Sequence, residues 1–133
     1  MTGVVANVNA GLGTLDAPNA TLGANPAWTQ ICPLDRIPLA SGVAALLPGG
    51  VQVAVFRTDG GDVLAVGNID PVSGAAVLSR GIVGDADGVP VVASPVYKER
   101  FDLRTGACLD ADVAVPVYPV RVADGVIHLG FSP

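Results

Sequence analysis

Short apolar runs separated by turn residues, with almost no helical periodicity, set the texture of this chain from Trp28 onward. The segment VQVAVFR, Val51 to Arg57, is rich in β-branched residues and follows Pro48-Gly49-Gly50, which predicts a turn leading into a strand. TDGGD then reverses the chain and VLAVGN, Val63 to Asn68, returns as the antiparallel partner, since a short Asp/Gly-rich link between apolar runs is a hairpin signal. The same grammar recurs in WTQICPL from Trp28, GVAAL from Gly42, VPVVASPVY from Val89, ERFDL followed by RTG, and YPVRV, ADG and VIHLG near the end. About seven or eight strands are expected, with only AAVLSR, Ala75 to Arg80, offering a turn or so of helix. The fold class that follows is all-β over residues 28–133, a small antiparallel sandwich or barrel that protects its edges. Two longer connections interrupt the rhythm, NIDPVSGAAVLSRGIVGDADG and VASPVYKERF. Irregular loops held on a β scaffold are where function concentrates, so these two are the candidates.

Composition narrows the field. A chain of 133 residues fits one domain, which at this size buries roughly two-thirds of its unfolded surface. Residues 1–27 are mostly Gly, Ala, Asn and Thr, too poor in apolar surface to offset the entropy of ordering, and a flexible arm is expected there. A net charge of -5, with seven Lys and Arg scattered along the chain, argues against nucleic acid and for a protein or small-molecule partner. The first residues lack a basic n-region, and nowhere is there a run of about 18 apolar residues; no membrane association is read, and a cytoplasmic location is expected. Without an export signal the Asn19-Ala20-Thr21 glycosylation triplet carries no weight. Cys32 and Cys108 have no metal-type spacing and read as small buried hydrophobes or inert thiols. There is no Gly-x-Ser-x-Gly elbow, no Cys/His pair close in sequence and no dinucleotide fingerprint, so neither nucleophilic catalysis nor cofactor binding by this chain is expected.

The two long connections carry a specific resemblance. VGNIDPVSGAAVLSRGIV followed by ASPVYKERFDLRTGACL is similar to the paired cluster-binding loops of Rieske domains, with Pro71, Gly74, Pro95, Arg100, Phe101, Asp102, Thr105 and Gly106 in the expected frame. The positions that would carry ligands read Asp70, Val72, Ser94 and Tyr97. A Rieske centre needs two cysteines and two histidines, whereas the whole chain has two cysteines outside both loops and a single histidine, His128. Wider stretches, WTQICPLDRIP, ALLPGGVQVAVFR, AVGNIDPVSGAAVLSRGIVGD and ASPVYKERFDLRTGACLD, resemble the NirD family, small subunits of bacterial assimilatory NAD(P)H-dependent nitrite reductase, from about Trp28 to Val122. That resemblance implies a Rieske-like fold without the cluster and a non-catalytic subunit. Its implied partner is a large subunit that carries FAD, an iron-sulfur cluster and sirohaem and reduces nitrite to ammonia in nitrate assimilation. The alternative is a stand-alone binding or scaffold domain that reuses the fold without a redox partner.

Each candidate residue also has a structural reading. Asp70 before Pro71 is a turn former that caps the backbone two residues on. Ser94 and Tyr97 offer a hydroxyl pair that would tie the second loop to the first. Lys98, Glu99 and Arg100 read as a solvated charged face, and Arg100 and Arg104 bracket Asp102 as local ion-pair partners. Asp70, Tyr97, Lys98 and Arg100 are the positions assigned, by analogy, to partner docking. Trp28 and Phe101 are expected in the core, and His128, alternating with Ile127 and Leu129, is expected half-exposed on the last strand.

Overall fold

The computed structural model describes residues 27–131, so Asn19 and the arm expected over residues 1–27, apart from Ala27, lie outside the described residues. These residues form ten short strands, β1 (Ala27–Pro33), β2 (Ser41–Leu47), β3 (Val51–Arg57), β4 (Val63–Gly67), β5 (Ile82–Ala86), β6 (Val89–Ala93), β7 (Arg100–Asp102), β8 (Val117–Tyr118), β9 (Val120–Ala123) and β10 (Val126–Phe131). They pair antiparallel into a four-stranded sheet β2-β3-β4-β8 and two three-stranded sheets, β1-β10-β9 and β5-β6-β7.

The four-stranded sheet lies between two apolar clusters, which explains why β3 is hydrophobic almost throughout instead of alternating. Val53 and Val55 pack with Ile31, Ile37, Ile127 and Leu129, while Ala54 and Phe56 pack with Leu78, Val92, Phe101, Leu103 and Val115. Phe56 fits only because its neighbour across the strand pair is Gly42, where a Cβ would sit 2.5 Å from the ring. The second cluster joins the sheet to β6 and β7, and so fixes where the two long loops begin and end.

Strand positions follow the sequence reading closely, with three differences. GIVGDA, read as part of a loop, contains the edge strand β5; its residues are mostly exposed and lack an apolar face to announce it. YPVRV is split at Pro119 into β8 and β9, which belong to different sheets, since proline cannot continue a ladder. The expected turn of helix is a single 3-10 turn at Leu78–Arg80, anchored by buried Leu78, and similar turns occur at Leu34–Arg36 and Pro48–Gly50.

His128 is buried, not half-exposed. β10 is the central strand of its sheet, with His128 opposite Gln30 on one side and Arg121 on the other, so both neighbours cover it. Trp28 is only partly buried and carries the Arg121 guanidinium 4.5 Å over its ring, whereas Phe101 is fully buried as expected. Cys32 is buried, Cys108 is partly so, and both are free thiols. Among the described residues no helix is long and apolar enough to cross a membrane.

Candidate functional site

Both long loops leave the second apolar cluster at the same end of the domain. The first, between β4 and β5, is pinned by buried Asn68, whose Oδ1 accepts the Ser79 N–H at 2.8 Å and whose Nδ2 donates to Gln52 Oε1 at 3.3 Å. Asp70 then organises the turn around Pro71. Its Oδ1 accepts the N–H of Val72 at 2.8 Å and of Ser73 at 3.4 Å, and its carbonyl accepts the N–H of Gly74 at 2.7 Å. Gly74 closes that turn at φ 80°, a conformation costly for a side-chain-bearing residue.

The second loop, between β6 and β7, is a tight reversal over Ser94–Glu99. The Ser94 N–H donates to the Glu99 carbonyl at 2.9 Å and the Lys98 N–H to the Ser94 carbonyl at 3.0 Å, with Lys98 itself at φ 67°. Ser94 Oγ accepts the Val96 N–H at 3.2 Å and donates to Asp70 Oδ2 at 2.6 Å. That last bond joins the loops, and Asp70 and Ser94 are both wholly buried at the seam. A charge-assisted hydrogen bond of this kind is roughly twice as strong as a neutral one.

Glu99 completes the seam. It is buried, contrary to the solvated face expected of Lys98-Glu99-Arg100, because at the close of the loop, where its carbonyl accepts the Ser94 N–H, its side chain lies against Asp70. Burial, and next the neighbouring Asp70 carboxylate, push the Glu99 carboxyl up. Burial by itself would push Asp70 up as well, but hydrogen bonds from Ser94, Glu99 and the backbone of Val72 and Ser73 outweigh it and hold Asp70 below the usual carboxylate range.

Behind the second loop, the frame residues form a turn of their own. Asp102 Oδ1 accepts the N–H of Arg104 at 2.7 Å and of Thr105 at 3.3 Å, Thr105 Oγ1 accepts the Ala107 N–H at 3.2 Å, and Gly106 turns at φ 83° against the Val115 carbonyl. Asp102 is therefore a cap, not an ion-pair partner of its neighbours. Arg100 instead grips Asp110 with Nε and Nη2 at 3.0 and 2.8 Å, and Arg104 reaches Asp62 at 3.1 Å. The Arg100 guanidinium brings the Asp110 carboxyl down to about 2.

Of the docking positions assigned by analogy, Tyr97 and Lys98 face solvent, Arg100 is exposed but held by Asp110, and Asp70 is buried with no surface to offer. Tyr97 is 64% exposed and its hydroxyl has no hydrogen-bond partner among the described residues, so of the expected hydroxyl pair only Ser94 ties the loops. The sequence reading missed the apolar tips beside Tyr97: Ile69, Val72 and Val96 are also exposed. Apolar residues set immediately beside loop prolines were the available signal. A shallow groove lined by Gln52, Asn68, Ile69, Pro116 and Tyr118 runs along the flank of the first loop.

The chain matches the family of Rieske-like [2Fe-2S] domains over residues 27–130. A nitrite reductase (NADH) small subunit of Salmonella typhimurium is 47% identical over 104 residues, covering 77% of this chain and 95% of that protein. The NAD(P)H nitrite reductase large subunit of Klebsiella oxytoca is also 47% identical over 104 residues, 77% of this chain but 11% of that protein. The solution structure of Escherichia coli NirD superposes with a TM-score of 0.73 at 42% identity, covering 80% of this chain and 97% of that one. A Rieske centre takes two thiolates on one iron and two imidazoles on the other. The loops here present a buried carboxylate (Asp70), an aliphatic side chain (Val72), a hydroxyl already donated to that carboxylate (Ser94) and a solvent-facing phenol (Tyr97), a donor set that does not fit such a cluster. The chain belongs to the Rieske-like [2Fe-2S] domain family and, within it, to the nitrite reductase (NADH) small subunits.

Proposed function

We propose that this chain is the non-catalytic small subunit of an NAD(P)H-dependent nitrite reductase that reduces nitrite to ammonia, and that it docks on the large subunit through the tips of its two loops. The observation that carries this reading is that Ile69, Val72, Val96 and Tyr97 are exposed on two loops whose bases are fixed by buried hydrogen bonds. Apolar side chains held out on pre-organised loops offer an interaction surface that loses little entropy on binding. Lys98 adds a cation at the rim.

Support for the partner comes from the Klebsiella oxytoca large subunit, a single chain that contains a segment similar to this domain. Two modules joined in one chain have a high effective concentration for each other. FAD, an iron-sulfur cluster and sirohaem belong, in this reading, to the large subunit, and the small subunit shapes or shields the electron path without carrying electrons. Its place is the cytoplasm, with its partner.

Co-expression of the full chain with a sirohaem-containing large subunit tests the reading, scored by co-purification and NADH-driven ammonia formation. Association with wild type, weakened at least about thirtyfold by Val72→Asp, supports it, since a charge replacing an interface anchor costs about 2 kcal/mol or more. Failure of the wild-type chains to associate would favour the stand-alone scaffold.

A further inference from the structure

Two acids meet at the loop seam, since Ser94 bonds Asp70 through its hydroxyl and the Glu99 carbonyl through its N–H, and among the described residues no Lys or Arg side chain pairs with either carboxyl. Glu99 is 7% exposed, and beyond a weak contact from its own backbone N–H neither of its carboxyl oxygens has a hydrogen-bond donor. Asp70 has its oxygens engaged, Oδ1 by the Val72 and Ser73 N–H groups and Oδ2 by the Ser94 hydroxyl. Other charges nearby bring no relief. Asp110 acts on Glu99 with the same sign, Arg100 is committed to Asp110, and the Lys98 amine lies at the Pro95 carbonyl, 3.4 Å away. A hydrogen bond between two carboxyl groups needs a proton, and an unpaired buried carboxylate takes one up instead of remaining charged.

We propose that Asp70 and Glu99 bind a single proton between them, carried by Glu99 and donated to Asp70, and that this proton and the Ser94 hydroxyl together clasp the two loops. With it, Asp70 is a fully satisfied carboxylate and Glu99 a neutral donor. Without it, two buried like charges face each other and the seam opens. The directions of titration agree: Glu99 is pushed up by burial and by Asp70, whereas Asp70 is held down by its donors despite burial. Glu99's contribution to stability is therefore present below the ordinary glutamate range and is lost as pH rises through its raised value. Asp70's contribution is present above the ordinary aspartate range and is lost as pH falls through its lowered value. The clasp is closed between the two. It is a property of the isolated chain and does not depend on docking.

The test is a carboxyl-carbon NMR titration of the full chain, with amide hydrogen exchange followed at Val72 and Val96, whose N–H groups bond to Asp70 and Ser94. In the wild type Glu99 titrates above the ordinary range, and over the same interval exchange at both amides accelerates roughly tenfold beyond the intrinsic base-catalysed rise. Glu99→Gln, whose amide donates to Asp70 at every pH, abolishes that acceleration. Asp70→Asn returns Glu99 toward the ordinary range. Glu99 titrating like a free glutamate, or wild-type exchange that follows only the intrinsic rise, overturns the proposal. So does a protection step that disappears on adding EDTA, which would assign the bridge to a bound cation. Should the variants fail to fold, the wild-type titration alone decides.

Discussion

The domain is held together differently at its two regions. Around β3, Val53, Val55, Ala54 and Phe56 are buried on both faces of the four-stranded sheet by side chains that carry no charge. At the loop end, the joint between Asn68–Gly81 and Ser94–Glu99 depends on Asp70, Ser94 and Glu99, each polar and each buried. Apolar packing tolerates changes of pH and yields mainly to lost volume. A polar seam behaves in the opposite way, since removing a single donor leaves a charge without compensation.

Phe56→Ala should strike hardest, on the scaffold side, costing about 3–5 kcal/mol because it empties space between two sheets without touching a polar group. Chemical denaturation should show the loss at every pH. Ser94→Ala removes one oxygen atom and should cost about 1–3 kcal/mol, concentrated in the loops, because Asp70 Oδ2 loses its donor. Amide exchange at Val72 should rise well before that of β3; uniform loosening of both would break the contrast.

The scaffold has its own group that titrates in the acid to neutral range, His128. Burial, and more weakly the Arg121 charge, lower its pKa. The folded chain therefore resists protonation, and stability from this site is present above the ordinary histidine range and lost as pH falls below it. Glu99 acts with the opposite sign, its contribution being lost as pH rises above the ordinary glutamate range, so the two sites offset each other in mildly acid solution. His128→Gln should therefore lessen the fall in melting temperature on acidification below the ordinary histidine range, and Glu99→Gln should lessen the fall on raising pH past the ordinary glutamate range; a variant that changes both would show that the regions are coupled. The smallest effect expected is that of Tyr97→Phe. Its hydroxyl faces solvent unbonded, so the melting curve should stay where it is.

These contrasts track what was legible in the sequence. VQVAVFR gave itself away as β3 residue for residue, because its central run Val53–Phe56 is buried on both faces and is apolar without a break. Asp70 was readable as a cap and Ser94 as a bridge, since Asx turns and short reversals are local. Glu99 was not, because its burial is decided by Asp70 on a different loop and its own neighbours, Lys98 and Arg100, look like surface. The partners of Arg100 and Arg104, Asp110 and Asp62, come from distant turns, so bracketing by Asp102 misled. β5 was hidden for another reason: an exposed edge strand has no hydrophobic face to advertise it.

The bond from Ser94 to Asp70 has a consequence for how the protein is made. Its atoms are translated with the chain, so the loops close as the polypeptide folds, without waiting for a delivery system to supply the joint. A seam built this way has nothing for oxygen to strip out.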